Sequence, residues 1–363
     1  MPASLNVLLK TMVQHGASDL HIRSDSRAYL RIHGSMMAVD GSEMTSRDVD
    51  ALAAACMNPR AKRAMEETMA ADFSVDGGEY GRFRFNVFRE RGRTCIAIRH
   101  IPFKIPTFTE LNLPVETLEK LSLTERGLVL VTGITGSGKS STLAAMIDYI
   151  NANRDYHIIT VEDPIEFVHT AKRSIISQRE IGLDAADFLD ALRSAMRQDP
   201  DVILVGEMRD LETTRAAITA AETGHLVLAT VHTSNAVQTI TRVVDLFPTH
   251  QQTQVRMQMA DSLKGVISQR LLPCKSGGRI PAVEILMVTP HVRQLIAENQ
   301  LHGVTQAIQK GAYYGMTTFN QSLVQLAKSG VVSVEEVISA ASNPDDVMLA
   351  LRGIEPDADM KKA

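Results

Sequence analysis

Residues 127–142 read Gly-Leu-Val-Leu-Val-Thr-Gly-Ile-Thr-Gly-Ser-Gly-Lys-Ser-Ser-Thr. The apolar run at the start of this stretch predicts a buried strand, and residues 143–150 have the apolar spacing of a helix. Between the two lies a glycine-rich turn in which the fixed positions of G-x-x-x-x-G-K-[ST] are filled by Gly133, Gly138, Lys139 and Ser140. The stretch therefore predicts a P-loop that joins a strand to a helix.

The residue types of this turn suit a phosphate ligand. Glycines let backbone N–H groups surround an anion without a Cβ in the way, and the N-terminus of the following helix adds partial positive charge. Lys139 supplies a full charge, and Ser140 is expected to bind Mg²⁺. The expected nucleotide-binding residues are Gly133, Thr135, Gly136, Ser137, Gly138, Lys139, Ser140 and Ser141.

The composition is that of a globular protein with more than one domain. The chain has 363 residues, 44% of them apolar, which leaves room for two or three domains. A net charge of -4 argues against a general nucleic-acid-binding surface. No apolar stretch approaches the roughly 18 residues of a membrane span, so we expect membrane association only through a partner, without direct insertion. The 3 cysteines are far apart, which predicts neither disulfides nor a zinc site and fits a reducing cytoplasm.

The first hundred residues predict a domain of helices and short strands. Apolar spacing and alternation predict helices at 3–15, 46–57 and 59–70 and strands at 19–23 and 27–32. A β-hairpin is expected next, because residues 82–87 alternate strictly, Arg91-Gly92 marks a turn and residues 94–101 form a second run.

The two faces of this hairpin differ in character. Alternation places Phe83 and Phe85 on an apolar face and Arg82 and Arg84 on the other, and Arg99 joins the arginines if the apolar faces of both strands align. One interpretation is a solvated strand face. The other is a basic face that is presented to phosphates or to a neighbouring acidic surface.

Prolines at 102, 106 and 114 predict a linker over residues 102–114 between two domains, 1–101 and 115–363. From about residue 115, strands alternate with helices, which predicts a parallel sheet with helices on both faces. Ligands of such sheets sit at the carboxyl ends of the strands. The side chains that follow each strand are therefore candidates for the site.

Acidic side chains follow two of these predicted strands. Glu207 follows an apolar strand at the position where a P-loop protein carries its Walker-B acid, although that acid is usually an aspartate. We therefore expect Glu207 to hold Mg²⁺. Glu162 or Asp163 is placed to polarise the attacking water. The alternative for that pair is a cap of the turn before Pro164.

Histidines mark the two ends of a third strand. His232 lies at the nucleotide end, where it is either a sensor of the γ-phosphate or a satisfied structural histidine. His225 is seven residues earlier and so roughly 23 Å away along an extended strand. We expect it to cap a neighbouring element or contact another subunit.

Taken together, the motifs resemble the Walker A, Asp-box, Walker B and His-box series of the type II/IV secretion ATPases. Within that superfamily the chain is most similar to the pilus retraction (twitching motility) ATPases of the PilT/PilU type. The resemblance covers nearly the whole chain, from Gly16-Ala17-Ser18-Asp19-Leu20-His21 onward. The motifs are residues 133–140, 160–166, 199–210, and 221–225 with 230–233.

The resemblance implies a fold and a set of site residues. The implied fold is α/β, with an N-terminal PAS-like α+β domain and a RecA-like P-loop ATPase domain that ends in a helical segment from about 289 to 363. Six copies are expected to form a ring that binds ATP and Mg²⁺ at domain interfaces. The implied catalytic residues are Glu162 as the carboxylate that activates water, Glu207 as the Mg²⁺ carboxylate, His232 of the His box, and Arg82, Arg84 and Arg99 reaching the nucleotide from the N-terminal domain.

By the same resemblance, the protein is a cytoplasmic ATPase, peripheral at the inner membrane, that drives type IV pilus retraction. Its expected partners are further copies of itself, an inner-membrane pilus platform protein and a sister retraction ATPase, with no nucleic acid. Alternatives are a pilus extension or type II secretion ATPase, which usually carries a tetracysteine insertion that is missing here, and a nucleotide-gated regulatory subunit with little turnover. Residues 343–348 are unlike the tail of some retraction motors, so PilT-like and PilU-like roles both stay open.

Overall fold

The computed structural model describes residues 5–32, 34–101 and 104–354. Pro102 and Phe103, the first two residues of the expected linker, lie outside this range, as do the last nine residues of the expected C-terminal segment. The chain divides into two compact units, Met1–Lys104 and Ile105–Ala363. Phe108 and Leu113, within the stretch predicted to be a linker, are buried in the core of the second unit.

The first unit is a six-stranded antiparallel sheet with three helices. The sheet has the order β3-β2-β1-β6-β5-β4. Its apolar core is formed by helix residues such as Leu9 and Met12 and by strand residues such as Ile22, Phe83 and Phe85. The elements are α1 (Leu5–Gln14), β1 (Asp19–Arg23), β2 (Tyr29–Ile32), β3 (Ser35–Ala38), α2 (Ser46–Cys56), α3 (Pro59–Thr68), β4 (Ala70–Asp76), β5 (Arg82–Glu90) and β6 (Arg93–Ile101).

The predicted hairpin is confirmed as β5 and β6, which pair antiparallel with Arg84 opposite Arg99 and Phe85 opposite Ile98. The shared polar face of the arginines follows from this register. The predicted helix at 59–70 is wrong at its end, because Met69 adopts a left-handed conformation with φ 59° that stops α3 at Thr68. Strand β4 begins directly afterwards, and it was not predicted.

The second unit is built on a seven-stranded sheet that is flanked by helices. Its strands are β7 (Gly127–Thr132), β8 (His157–Glu162), β9 (Ile175–Glu180), β10 (Val202–Val205), β11 (Leu226–Val231), β12 (Leu263–Pro273) and β13 (Arg279–Met287). Its helices are α4 (Val115–Ser122), α5 (Lys139–Asn153), α6 (Phe188–Ala195), α7 (Leu211–Glu222), α8 (Ala236–Asp245), α9 (Thr249–Ser262), α10 (Pro290–Ala297), α11 (Leu301–Lys310), α12 (Phe319–Lys328), α13 (Val334–Ala340) and α14 (Pro344–Leu351).

The strand order is β13-β12-β7-β11-β10-β8-β9. The six strands from β12 to β9 run parallel, as predicted, and β13 pairs antiparallel with β12 at the edge. Every residue of β7, β10 and β11 is buried, so both faces of the sheet centre are covered. The carboxyl ends of these parallel strands lie at one edge of the sheet, where the P-loop begins.

The chain from α10 onward is helical as far as it is described. Part of it forms a separate apolar cluster in which Phe319, Leu323 and Val337 pack against Leu272 of β12 and Ala282 of β13. The helical segment is thereby joined to the edge of the sheet. Over the described residues, no helix has the length and apolar character needed to cross a membrane.

Candidate nucleotide-binding site

The P-loop connects β7 to α5 with three glycines in conformations that other residues rarely adopt. Gly133, Gly136 and Gly138 have φ values of 146°, 79° and 95°. A Cβ on Gly133 would lie 2.4 Å from the hydroxyl of Ser137 and 2.5 Å from the carbonyl oxygen of Gln269. The first glycine is therefore required both by its backbone conformation and by the close approach of β12.

Lys139 is the first residue of α5 and is only 8% exposed. Its ammonium group donates hydrogen bonds to the carbonyl oxygens of Gly133 at 2.9 Å and Ile134 at 3.0 Å, so the side chain folds back over the loop. Burial lowers the pKa of Lys139, and the negative charges of Glu207 and Glu166 oppose that shift. These contacts place a positive charge at the centre of the loop, with carboxylates around it.

The hydroxyl groups of the loop fit a phosphate and its metal ion. Ser137 Oγ is buried and has no hydrogen-bond partner among the residues that the structure describes. A buried hydroxyl without a partner is costly unless a ligand satisfies it. Ser140 and Ser141 are half-buried at the start of α5, and Thr135 is exposed at the tip of the loop. The eight expected nucleotide-binding residues thus lie in the loop after β7 and in the first turn of α5.

Two buried polar contacts hold the loop against the sheet, and neither was predicted. The side chains of Thr142 and Gln269 are hydrogen-bonded to each other, with Gln269 Nε2 2.8 Å from Thr142 Oγ1, which ties α5 to β12. Thr132 Oγ1 donates to Ser268 Oγ at 2.9 Å and ties β7 to the same strand. Gln269 lies 127 residues from Thr142. No local sequence pattern could have revealed this pair.

The strand register brings the three predicted side chains to the edge of the P-loop. Val161 of β8 is paired with Val205 of β10, and Thr132 of β7 is paired with Val231 of β11. Glu162 is the residue after Val161 and ends β8. Glu207 lies two residues after the end of β10, and His232 lies directly after the end of β11. All three side chains are therefore at the carboxyl ends of neighbouring parallel strands. Gly206 permits the close packing, since a Cβ there would lie 3.1 Å from the carbonyl oxygen of Val161.

Glu207 lies between the side chains of Arg209 and His232. Its carboxylate is 2.6 Å from the guanidinium of Arg209 and 3.3 Å from Nε2 of His232. Partial burial raises the pKa of Glu207, but the Arg209 hydrogen bond and the charges of His232, Arg209 and Lys139 outweigh it, so the pKa lies below its ordinary value. The carboxylate is ionised at neutral pH and available to a cation.

Glu162 has a different environment. Its Oε1 accepts hydrogen bonds from Thr160 Oγ1 at 2.7 Å and from Gln178 Nε2 at 3.2 Å, and Oε2 accepts a long bond of 3.4 Å from the backbone N–H of Glu166. Burial raises the pKa of Glu162, although these hydrogen bonds oppose it. A carboxylate with a raised pKa suits a general base more than a permanent ion-pair partner.

His232 and His225 occupy opposite ends of β11. His232 is 40% exposed at the side chain and lies beside Glu207. His225 instead forms a hydrogen bond through its Nδ1 to the carbonyl oxygen of Ala220, near the end of α7. The expected capping role of His225 is thus confirmed. The segment after His232 is held by Glu284, whose Oε1 accepts a 2.8 Å hydrogen bond from the backbone N–H of Ala236.

The three predicted arginines lie on the polar face of the first unit's sheet, near acidic residues. Arg99 is 66% exposed at the side chain, and its Nε donates to Asp19 at 2.9 Å. Arg84 Nε lies 3.6 Å from a carboxylate oxygen of Asp72. Arg82 is the register partner of Ile101 at the end of the hairpin.

Among the described residues, no group of three or more His, Cys, Asp or Glu side chains is arranged to hold a metal ion. A divalent cation at this site would instead need oxygen atoms from Ser140, from the nucleotide and from water near Glu207. This is the ligand set that Mg²⁺ prefers, because it keeps several waters and binds phosphate oxygens.

Comparison with known proteins shows the family of the chain. Residues 2–339 match the family described as type II/IV secretion system protein. The chain belongs to this family. It is 44% identical over 339 residues to the type IV pilus retraction ATPase PilT of Pseudomonas aeruginosa, over 93% of this chain and 98% of that protein. It is 39% identical over 354 residues to the type IV pilus ATPase PilU of the same organism, over 97% and 92%.

A solved structure of the pilus retraction motor PilT with bound ADP matches with a TM-score of 0.89 at 46% identity, covering 94% of this chain and 98% of that one. The family and the α/β fold predicted from the motifs are both confirmed. Two residues that contact the predicted carboxylates, Gln178 beside Glu162 and Arg209 beside Glu207, were given no role from the sequence. Arg209 follows Glu207 closely enough to be predicted, whereas Gln178 contacts Glu162 only through the pairing of β8 with β9.

Proposed function

We propose that this protein is a P-loop ATPase motor that couples the hydrolysis of Mg-ATP to type IV pilus retraction. The observation that carries the proposal is the convergence of Lys139, Glu162, Glu207 and His232 at one sheet edge, in a chain that matches retraction ATPases over nearly its whole length. The ADP that accompanies the similar PilT structure supports a nucleotide at this loop.

The loop residues would hold the triphosphate. Backbone N–H groups of residues 133–141 and the N-terminus of α5 would face the phosphate oxygens, and the ammonium of Lys139 would exchange its bonds to two carbonyl oxygens for bonds to phosphate. Ser140 would ligate Mg²⁺, and Glu207 would hold its water ligands. Mg²⁺ would neutralise charge that develops on the phosphate oxygens.

Glu162 would act on the attacking water. Its Oε1 is already occupied by two donors, whereas within the described residues Oε2 has only the 3.4 Å contact with the Glu166 N–H. Oε2 is therefore the oxygen best placed to accept a proton from water. His232, which contacts Glu207, would respond to the bound phosphate and so report hydrolysis to the segment that leads into α8.

The architecture expected from the family extends this proposal. We assign a PAS-like N-terminal domain to residues 1–101, the connection to 102–114, and a RecA-like motor domain to 115–363 with a helical C-terminal segment from about 289. Six copies would form a ring in the cytoplasm and act at the inner membrane through a pilus platform protein, with a sister retraction ATPase as a further partner. The antiparallel sheet of the first unit and the parallel sheet of the second support two domains of different kind.

Complementation of cells that cannot retract their pili tests the proposed function directly. In cells that lack their retraction ATPase, this protein is expected to restore twitching and to lower the number of surface pili, while its Lys139→Ala variant, expressed at the same level, does neither. Pili that increase in number when the wild-type protein is expressed would instead favour the alternative of an extension motor. Purified protein that binds ATP without releasing phosphate would favour a regulatory subunit.

The arginines of the N-terminal hairpin are proposed to meet the charge of the nucleotide. Arg84 and Arg99 face each other across the two strands, and their side chains are 38% and 66% exposed. An arginine delivered by a separate domain would make hydrolysis depend on domain position. We expect Arg84→Ala and Arg99→Ala each to lower turnover at least about tenfold, equivalent to about 1.4 kcal/mol in the barrier.

Arg23→Ala is the matched control for this prediction. Arg23 lies on β1 of the same sheet and pairs with Glu90 at 2.8 Å, and its side chain is 57% exposed, so the variant removes an exposed, paired arginine that has no proposed role in hydrolysis. Its turnover should stay normal. If the arginines act on a neighbouring subunit, a mixture of Arg99→Ala and Lys139→Ala proteins should recover activity; full turnover in both arginine variants would mean that the face is only solvated.

A further inference from the structure

We propose that Thr160 and Gln178 are positioning residues that hold the Glu162 carboxylate in a single orientation, with Oε1 anchored and Oε2 directed to the reaction. This inference rests on the catalytic role proposed above for Glu162. Both residues lie in the second unit, and both reach the same carboxylate oxygen.

The two oxygens of the Glu162 carboxylate differ in the number and length of the hydrogen bonds that they accept. Oε1 receives a hydroxyl donor at 2.7 Å and an amide donor at 3.2 Å. Oε2 receives one backbone donor at 3.4 Å, close to the limit of a hydrogen bond. Two donors on one oxygen fix the rotation of the carboxylate plane, because turning it would break both bonds. The lone pairs of Oε2 remain for a water molecule.

Thr160 is placed by its own strand. It precedes Glu162 by two residues, so both side chains emerge on the same face of β8. It is fully buried, and its β-branched side chain has few available rotamers. Its hydroxyl donates to no other acceptor in the described structure than Glu162 Oε1.

Gln178 is placed by the neighbouring strand and by the loop after β8. In the parallel register of β8 and β9, Gln178 is the partner of Thr160. Its Nε2 also donates to the carbonyl oxygen of Phe167 at 2.9 Å, and its Oε1 accepts from the backbone N–H of His169 at 2.8 Å. The N–H of His169 can only donate, so the amide oxygen must face it and the amide nitrogen must face Glu162.

The charged groups around Glu162 are mostly acidic, so the hydrogen bonds from Thr160 and Gln178 are important in lowering the pKa of Glu162. The acids around Glu162 are Glu166 on the following loop, whose charge raises the pKa of Glu162, with Asp163 beside it, Glu180 opposite on β9 and Glu207 beyond β10. Burial lowers the pKa of His169 to about 4, so its ring carries no charge at neutral pH. The hydrogen bonds from Thr160 and Gln178 therefore oppose the rise in the pKa of Glu162, and their loss would raise that pKa further.

Steady-state ATPase kinetics of full-length Thr160→Val and Gln178→Glu proteins test this inference. Thr160→Val keeps the shape of the side chain and removes only the hydroxyl. Gln178→Glu keeps an acceptor for the His169 N–H and replaces the amide donor to Glu162 with a second carboxyl oxygen, whose charge also raises the pKa of Glu162. We expect kcat to fall at least about tenfold in each with KM for ATP changed less than about twofold, since the P-loop is untouched. The acidic limb of the pH–rate profile should move to higher pH, because the base is protonated more readily.

Two further comparisons separate positioning from folding and from the proposed function itself. In a Glu162→Gln background, neither substitution should lower the residual rate further; losses that multiply there would show a purely structural effect and overturn the inference. Thr219→Val removes a hydroxyl that bonds only to the backbone of α7 and should leave the rate unchanged. Wild-type rates in Thr160→Val and Gln178→Glu beside an inactive Glu162→Gln would overturn the positioning role alone, whereas an active Glu162→Gln would overturn the catalytic assignment and this inference with it.

Discussion

Lys139→Ala is expected to lower ATP turnover by at least about two orders of magnitude while the protein stays folded. The ammonium group is the only full positive charge within the P-loop itself, and no backbone N–H can replace its charge at the phosphates. Within the fold, its hydrogen bonds are to two loop carbonyl oxygens, Gly133 and Ile134, and alanine is the best helix former. Phosphate release and thermal unfolding of the purified variant would measure both expectations.

Lys172→Ala is the control for this prediction. Lys172 belongs to the same unit and forms a surface ion pair with Asp148 at 2.7 Å, so its loss removes one lysine without touching the loop. Turnover in this control should be unchanged. A folded Lys139→Ala protein with near-normal turnover would contradict the assignment of the P-loop as the phosphate site.

Glu162→Gln is expected to bind nucleotide with wild-type affinity and to lose hydrolysis. Glutamine keeps the size of the side chain and an oxygen for the Thr160 and Gln178 donors, but its amide cannot take a proton from water. We expect turnover to fall at least about a hundredfold. Equilibrium binding of a fluorescent ATP analogue beside steady-state phosphate release would separate the two effects. Normal hydrolysis would move the role to Asp163 or Glu166, which lie on the same loop.

Glu207→Gln serves as the contrast, because it removes the other carboxylate of the site. Glu207 is held by Arg209 and His232 and is expected to act through Mg²⁺ rather than on water. The variant should need more Mg²⁺ for half-maximal activity, in addition to its lower turnover. In Glu162→Gln the Mg²⁺ requirement for nucleotide binding should stay at the wild-type level, so a titration with Mg²⁺ distinguishes the two roles.

The P-loop, the parallel strands of the motor unit and the arginine face of the hairpin were all predicted from the sequence. Each depends on local information: a glycine where φ is positive, an apolar run between polar turns, or alternation along one strand. The end of α3 was mispredicted because Met69, which is not a glycine, takes the left-handed conformation that stops the helix. Strand β4 was missed because that helix was extended over its first residue.

The sequence by itself therefore determined the type of site, through motifs whose residues are adjacent along the chain, and the family. Tertiary structure alone decided how Glu162 and Glu207 differ. Both are glutamates near the end of an apolar strand, yet burial raises the pKa of Glu162 beside Thr160 and Gln178, while Arg209 and His232 bring that of Glu207 down. Gln178 reaches Glu162 through the pairing of β8 with β9, and His232 reaches Glu207 through the pairing of β10 with β11. Strand order is set by packing of the whole sheet, so no local pattern contains it.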